Sequence, residues 1–206
     1  MNIRPFRSNR VLQALVLWLT FLWIVTAINP LYPKDWLLEN LLVFVYGALL
    51  VATYRHFQFS NLSYLLFGVF LSLHLVGAHY TYAETPFGFW IQKLFDLERN
   101  HYDRLVHFAF GFLIAYPIRE ILRRKSGINR AWSFFIAVNC IVAFSAIYEV
   151  LEAIAAMIVS PELGAAYLGT QGDEWDAQKD AFLAFIGAVI AMLITWQYSR
   201  KKTAEH

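Results

Sequence analysis

The chain has 206 residues, 59% of them hydrophobic and 17% aromatic, with only 16% charged and a mean hydropathy of +0.47. Soluble domains carry about a quarter charged residues, so composition excludes a water-soluble enzyme and points to an integral membrane protein. One cysteine, Cys140, rules out an intrachain disulfide and any cysteine-based metal motif.

Six apolar runs, at 11–28, 37–54, 62–80, 105–122, 132–159 and 181–198, each match the ~30 Å hydrocarbon core at about 1.5 Å per residue. Backbone groups in lipid must bond internally, so each run predicts a helix, and no strand-like alternation argues for a barrel. The expectation is all-α: a polytopic bundle forming a single integral membrane domain over 1–206, with both termini on one side. The first run follows Arg4, Arg7 and Arg10. It is too long for a signal-peptide core and no convincing small-x-small cleavage site follows, so it reads as a retained span. The third carries His74 and His79, followed by Tyr80 and Tyr82. Between 81 and 104, Phe87, Phe89, Trp90, Ile91, Leu94, Phe95 and Leu97 suggest an amphipathic helix at the interface.

The fourth span opens with NHYDRLVHF, residues 100–108, in which Asp103 and His107 stand four apart. Lys125-Ser126-Gly127 marks the turn into the fifth span. That span ends in YEVLE, residues 148–152, placing Glu149 and Glu152 three apart. The last is entered through GTQGDEWDAQKD, residues 169–180, where Asp176 and Asp180 again share a helix face.

Lys and Arg supply an orientation. With the N-terminus cytoplasmic, the inner side collects twelve: Arg4, Arg7, Arg10, Arg55, Arg119, Arg123, Arg124, Lys125, Arg130, Arg200, Lys201 and Lys202. The outer side holds five, Lys34, Lys93, Arg99, Arg104 and Lys179. This is the positive-inside bias, with both termini cytoplasmic. The basic clusters need no nucleic-acid partner, because topology and membrane lipid account for them.

Depth then singles out a candidate site. The fifth run would extend about 42 Å, some 12 Å beyond the hydrocarbon core. Sharing the excess between its ends leaves Glu152 roughly 6 Å below the outer boundary, about level with His107. Four helices thus bring acid and imidazole groups to one height in the outer half of the bilayer. His107, Asp103, Glu149 and Glu152 are the candidate catalytic residues, with Asp103 orienting His107. His79, His107, Glu149, Glu152, Asp176 and Asp180 are the candidate ligands of a divalent metal, a cofactor this donor chemistry allows without requiring. The spacing matches no zinc signature, and metal-free acid–base work by Glu and His is the other route.

Each element also has a structural reading. Asp103 could pair with Arg104 at a helix start, His74 could be a packing residue, and His79, Tyr80 and Tyr82 could be interfacial anchors. Asp173 and Glu174 could be a solvated turn, with Asp176 capping the last helix. Glu149 and Glu152 fit a structural reading least, because two carboxylates on one buried face repel and demand protons or cations.

HYDRLVHF, YEVLE and GTQGDEWDAQKD together resemble the YjdF-type family of bacterial inner-membrane proteins, a family of unknown function. The resemblance covers essentially the whole chain and implies a multi-pass protein of the cell inner membrane. A more distant likeness is to VanZ-like membrane proteins, through Asp103, Arg104, His107, Phe108, Glu149, Asp173, Asp176 and Gly187. The chain departs from that pattern in Arg104 for Lys, Glu152 for Gln and Asp180 for Asn. That likeness implies a role at the envelope, since VanZ-like proteins are associated with glycopeptide-antibiotic tolerance.

The leading expectation is an outward-facing His/Asp/Glu pocket acting on a lipid or envelope substrate, an amphiphile entering from the outer leaflet. Two alternatives stand beside it. One is a non-catalytic transporter or binding protein, although the inner halves of the spans lack matching polar groups and no inverted repeat is visible. The other is a structural protein whose acid/His cluster is a satisfied network, with Gly111-x-x-x-Ala115 and Gly187-x-x-x-Ala191 packing the helices closely.

Overall fold

The computed structural model describes residues 5–204. Arg4 lies outside the described residues, as do the side chains of Lys201 and Lys202. The described residues form eight α-helices and a short 3-10 turn, with no strand. In chain order the helices are α1 (Arg10–Ala27), α2 (Pro33–Thr53), α3 (Asn61–His79), α4 (Pro86–Phe95), α5 (Tyr102–Lys125), α6 (Arg130–Ile158), α7 (Pro161–Leu168) and α8 (Asp176–Ala204). Six of them, α1, α2, α3, α5, α6 and α8, are long and apolar enough to cross a membrane. The all-helical, six-span architecture is that of a multi-pass membrane protein.

Helix ends differ from the apolar runs where polar residues continue a helix. α2 starts at Pro33, because proline suits the first turn, where its missing N–H is no loss. α5 starts at Tyr102, whose N–H donates to Asn100 Oδ1 at 3.0 Å. α8 starts at Asp176, so the polar stretch before residue 181 is helical. α4 lies where the amphipathic segment was expected, exposing Phe89, Trp90, Leu94 and Phe95. α7 was unforeseen, although its signals were present. Ser160 Oγ accepts from Leu163 N–H at 3.4 Å, Pro161 opens the first turn, and Gly169 closes the helix at φ 58°.

The chain divides into two compact units, residues 1–103 with 152–172, and residues 104–151 with 173–206. In the first, α1 packs along α3 and α2 meets α3 and α7; Phe67, Leu71, Leu75 and Ala78 of α3 form its core. In the second, Ala115, Ala137, Ile141, Ala184 and Ala188 are fully enclosed. Small residues predominate there because α5 and α8 approach backbone to backbone. A Cβ on Gly111 would stand 1.8 Å from the Ala184 carbonyl oxygen, and one on Gly187 would stand 2.3 Å from that of Phe108. Small residues at such positions allow close helix approach without a hydrophobic driving force in lipid.

Candidate functional site

The glycine contact between α5 and α8 sets the level of the site. Gly111 meets Ala184, and four residues earlier on each helix stand His107 and Asp180. One turn is about 5.4 Å on both helices, so the parallel register carries the two side chains to one height. A ring nitrogen of His107 and a carboxylate oxygen of Asp180 lie within 4.8 Å of one another. From α6, Glu149 Oε1 stands 3.4 Å from His107 Nε2. Tyr148 adds a ring 6.3 Å from the imidazole. His107 and Asp180 are buried and Glu149 is half-buried. One imidazole is thus approached by carboxylates from two other helices.

The entrance to α8 is built by a cationic clamp. Arg104 Nη2 donates to Asp173 Oδ2 and, at 3.2 Å, to Asp176 Oδ1. Lys179 Nζ reaches both Asp173 oxygens, at 2.8 and 2.6 Å, and Asp173 Oδ1 also accepts from Trp175 N–H at 3.1 Å. With Lys179, that backbone N–H and Arg104 all favouring its ionised form, Asp173 is held down to about 2. Asp173 therefore anchors the loop, whereas Trp175 beside it points outward. Asp176 is buried at the start of α8.

The other candidate residues fall in the first unit. His79 Nδ1 donates to the Thr26 carbonyl at 2.8 Å. Asp103, one turn before His107 along α5, and Glu152 both act electrostatically on Tyr82. Burial first, then Glu39, Asp103 and Glu152, pushes the Tyr82 hydroxyl well above its usual range. Thr81 and Tyr82 both adopt left-handed φ, 51° and 54°, folding the Tyr82 ring back over Gly77, where a Cβ would come within 2.5 Å of it. The Tyr82 hydroxyl donates to His74 Nδ1, and His74 Nε2 donates to the Glu39 carbonyl at 3.1 Å. The two partners determine the His74 tautomer, because a carbonyl can only accept.

Asp35 and Glu39 escaped the sequence reading. Both are buried on one face of α2, and neither Asp35 oxygen has a hydrogen-bond partner among the described residues. The available signal was two acids four apart at the start of an apolar run. The first half of GTQGDEWDAQKD is also pinned in this unit. Gln171 exchanges hydrogen bonds with the Asn100 backbone at 3.1 and 2.9 Å, and Arg99 donates to the carbonyls of Gly169 and Thr170.

Comparison with known proteins agrees with this architecture. Inner membrane protein YjdF of Escherichia coli (strain K12) is 38% identical over 185 residues, covering 89% of this chain and 88% of that protein. No solved structure matches. Residues 11–201 match the family described as "Predicted membrane protein (DUF2238)", and the chain belongs to that family of membrane proteins.

Proposed function

We propose that the second unit holds a one-sided acid/His centre that binds a divalent cation and acts on the headgroup of a lipid or envelope amphiphile. The observation that carries this reading is the placement of His107 between Glu149 of α6 and Asp180 of α8. Imidazole nitrogen with carboxylate oxygen suits zinc, manganese or iron. A cation bound there would polarise a phosphoryl or acyl oxygen and lower the pKa of a bound water. His107 and Asp180 are a donor pair within 4.8 Å of one another, and Glu149, 3.4 Å from the ring, stands where it can take a donor position or accept a proton from a nucleophilic water. Arg104 positions Asp176 at the mouth. Twelve of the 17 Lys and Arg gather on the side of the termini by the span count. The positive-inside rule supports cytoplasmic termini and a site opening to the outer leaflet of the inner membrane.

Two measurements test this reading. Elemental analysis of purified full-length protein, after loading with zinc or manganese and desalting, is expected to give about one ion per chain by the single donor cluster. His107→Ala and Asp180→Asn should each lose it while remaining folded. Mass spectrometry of envelope lipids from cells carrying wild-type or His107→Ala protein should then differ in a headgroup-modified species. Metal retained by folded His107→Ala, or identical envelope compositions, would sink the proposal.

A further inference from the structure

The first unit contains an apolar cleft of about 960 Å³ walled by α1 and α2 and floored by α3. It lies among side chains that the proposed chemistry does not use. Its long walls run from Leu12 to Trp23 on α1 and from Val43 to Val51 on α2, with Tyr54 and Arg55 in the turn just beyond α2. The α1 wall covers eleven residue steps, or about 16 Å of helix, close to half the ~30 Å hydrocarbon core. The far end is closed by side chains. The Trp23 and Phe44 rings meet edge to face at 6.0 Å, and Trp23 Nε1 donates to Asn40 Oδ1 at 2.8 Å. The cleft therefore has the depth of one leaflet.

The lining is almost wholly apolar, and the open end is basic. Arg55 lines the mouth, is exposed, and makes no ion pair among the described residues. Arg7 and Arg10 occupy the adjoining N-terminal segment, and no Asp or Glu occurs in residues 5–12 or 53–64. An apolar slot one leaflet deep, ending in an unopposed guanidinium, is complementary to an acyl chain joined to a phosphate. Guanidinium recognises phosphate by paired N–H donors, and a basic residue near the surface favours anionic lipid. Gly47 faces open space, with nothing within 4 Å of a Cβ built there. By contrast, Gly68 on the floor is in tight contact with Leu15. The space beside Gly47 is a gap in the helix packing that the protein itself leaves unfilled.

We propose that this cleft binds one anionic phospholipid from the leaflet at the basic end of the first unit, with an acyl chain between α1 and α2 and its phosphate on Arg55. The site is separate in residues and chemistry from the His107 centre, and its failure would leave that reading untouched.

Native mass spectrometry of the delipidated full-length chain provides the test, titrated with phosphatidylglycerol and phosphatidylcholine of the same acyl composition. Retention of one phosphatidylglycerol at concentrations where phosphatidylcholine is not retained is expected. Arg55→Gln should reduce that preference about fivefold, the contribution of one basic residue at a membrane surface. Gly47→Trp should abolish retention of either lipid by filling the cleft, and Gly47→Leu should weaken it in the same sense. Circular dichroism and gel filtration establish that the variants fold; if Gly47→Trp does not fold, Gly47→Leu decides. Equal retention of the two lipids, or undiminished retention in a folded Gly47 variant, means annular lipid only and overturns the proposal.

Discussion

His74 and His107 are both buried histidines on membrane-spanning helices, and their surroundings differ in kind. Both ring nitrogens of His74 are engaged by neutral groups, one donating to the Glu39 carbonyl and the other accepting from the Tyr82 hydroxyl. That arrangement holds one neutral tautomer in place and ties α2, α3 and the following turn together. His107 instead faces Glu149 at 3.4 Å and lies near Asp180, ionisable groups where His74 has neutral ones. Burial is common to the two histidines, and the character of their partners is what differs.

The largest effect should come from the contact that makes the second environment. Gly111→Ala drives a Cβ into the Ala184 carbonyl, and backbone cannot swing aside as a side chain would. A loss of about 3 kcal/mol or more is expected by the overpacking rule, read as a lowered Tm in detergent. Metal binding by the His107 centre should fall with it. Wild-type Tm and metal content in this variant would show that the α5–α8 register does not set the site.

Next comes the direct exchange between the two histidines. His74→Ala leaves the Tyr82 hydroxyl and the Glu39 carbonyl without their partner, which costs roughly 1–3 kcal/mol, yet metal stoichiometry should be unchanged. His107→Ala should show the opposite pattern, with metal lost and a smaller change in Tm. If both variants lost metal equally, the contrast between the two environments would be wrong.

The smallest effect belongs to the loop. The Asp173 pKa of about 2 lies below its ordinary 3.8, so folding favours the ionised form. Its contribution is complete above about pH 4 and is lost as pH falls toward 2. Hydrogen exchange of residues 173–179, corrected for intrinsic rates, should therefore accelerate over that window in wild type. In Asp173→Asn the loop should already be labile at pH 5 and show no such step.

The motifs that carry the candidate residues were visible in the chain because polar groups inside apolar helices are costly and stand out. HYDRLVHF, YEVLE and the aspartates of GTQGDEWDAQKD are the segments that carry His107, Glu149, Asp176 and Asp180. Helical spacing also marked Gly111 and Gly187 as close-packing positions before their partners were known. Arg104 and Asp173 were harder to read, since a charge in a loop near a helix start looks the same whether it clamps or merely solvates. Asp35 was hidden because it precedes the apolar run at 37–54, whereas the helix begins earlier at Pro33. Glu39 lies inside that run, and without Asp35 on the same helix it stood as a lone acid near the span's start.

Sequence by itself determined the class of this protein, its six spans and the residues able to do chemistry, because the bilayer imposes length and apolarity locally along the chain. Which of those residues meet was decided only by tertiary structure. Helical periodicity specifies a face, but the partner of that face depends on contacts between distant segments, such as Gly111 against Ala184. That contact places His107 beside Asp180, while the left-handed turn at Thr81 and Tyr82 gives His74 a phenol instead.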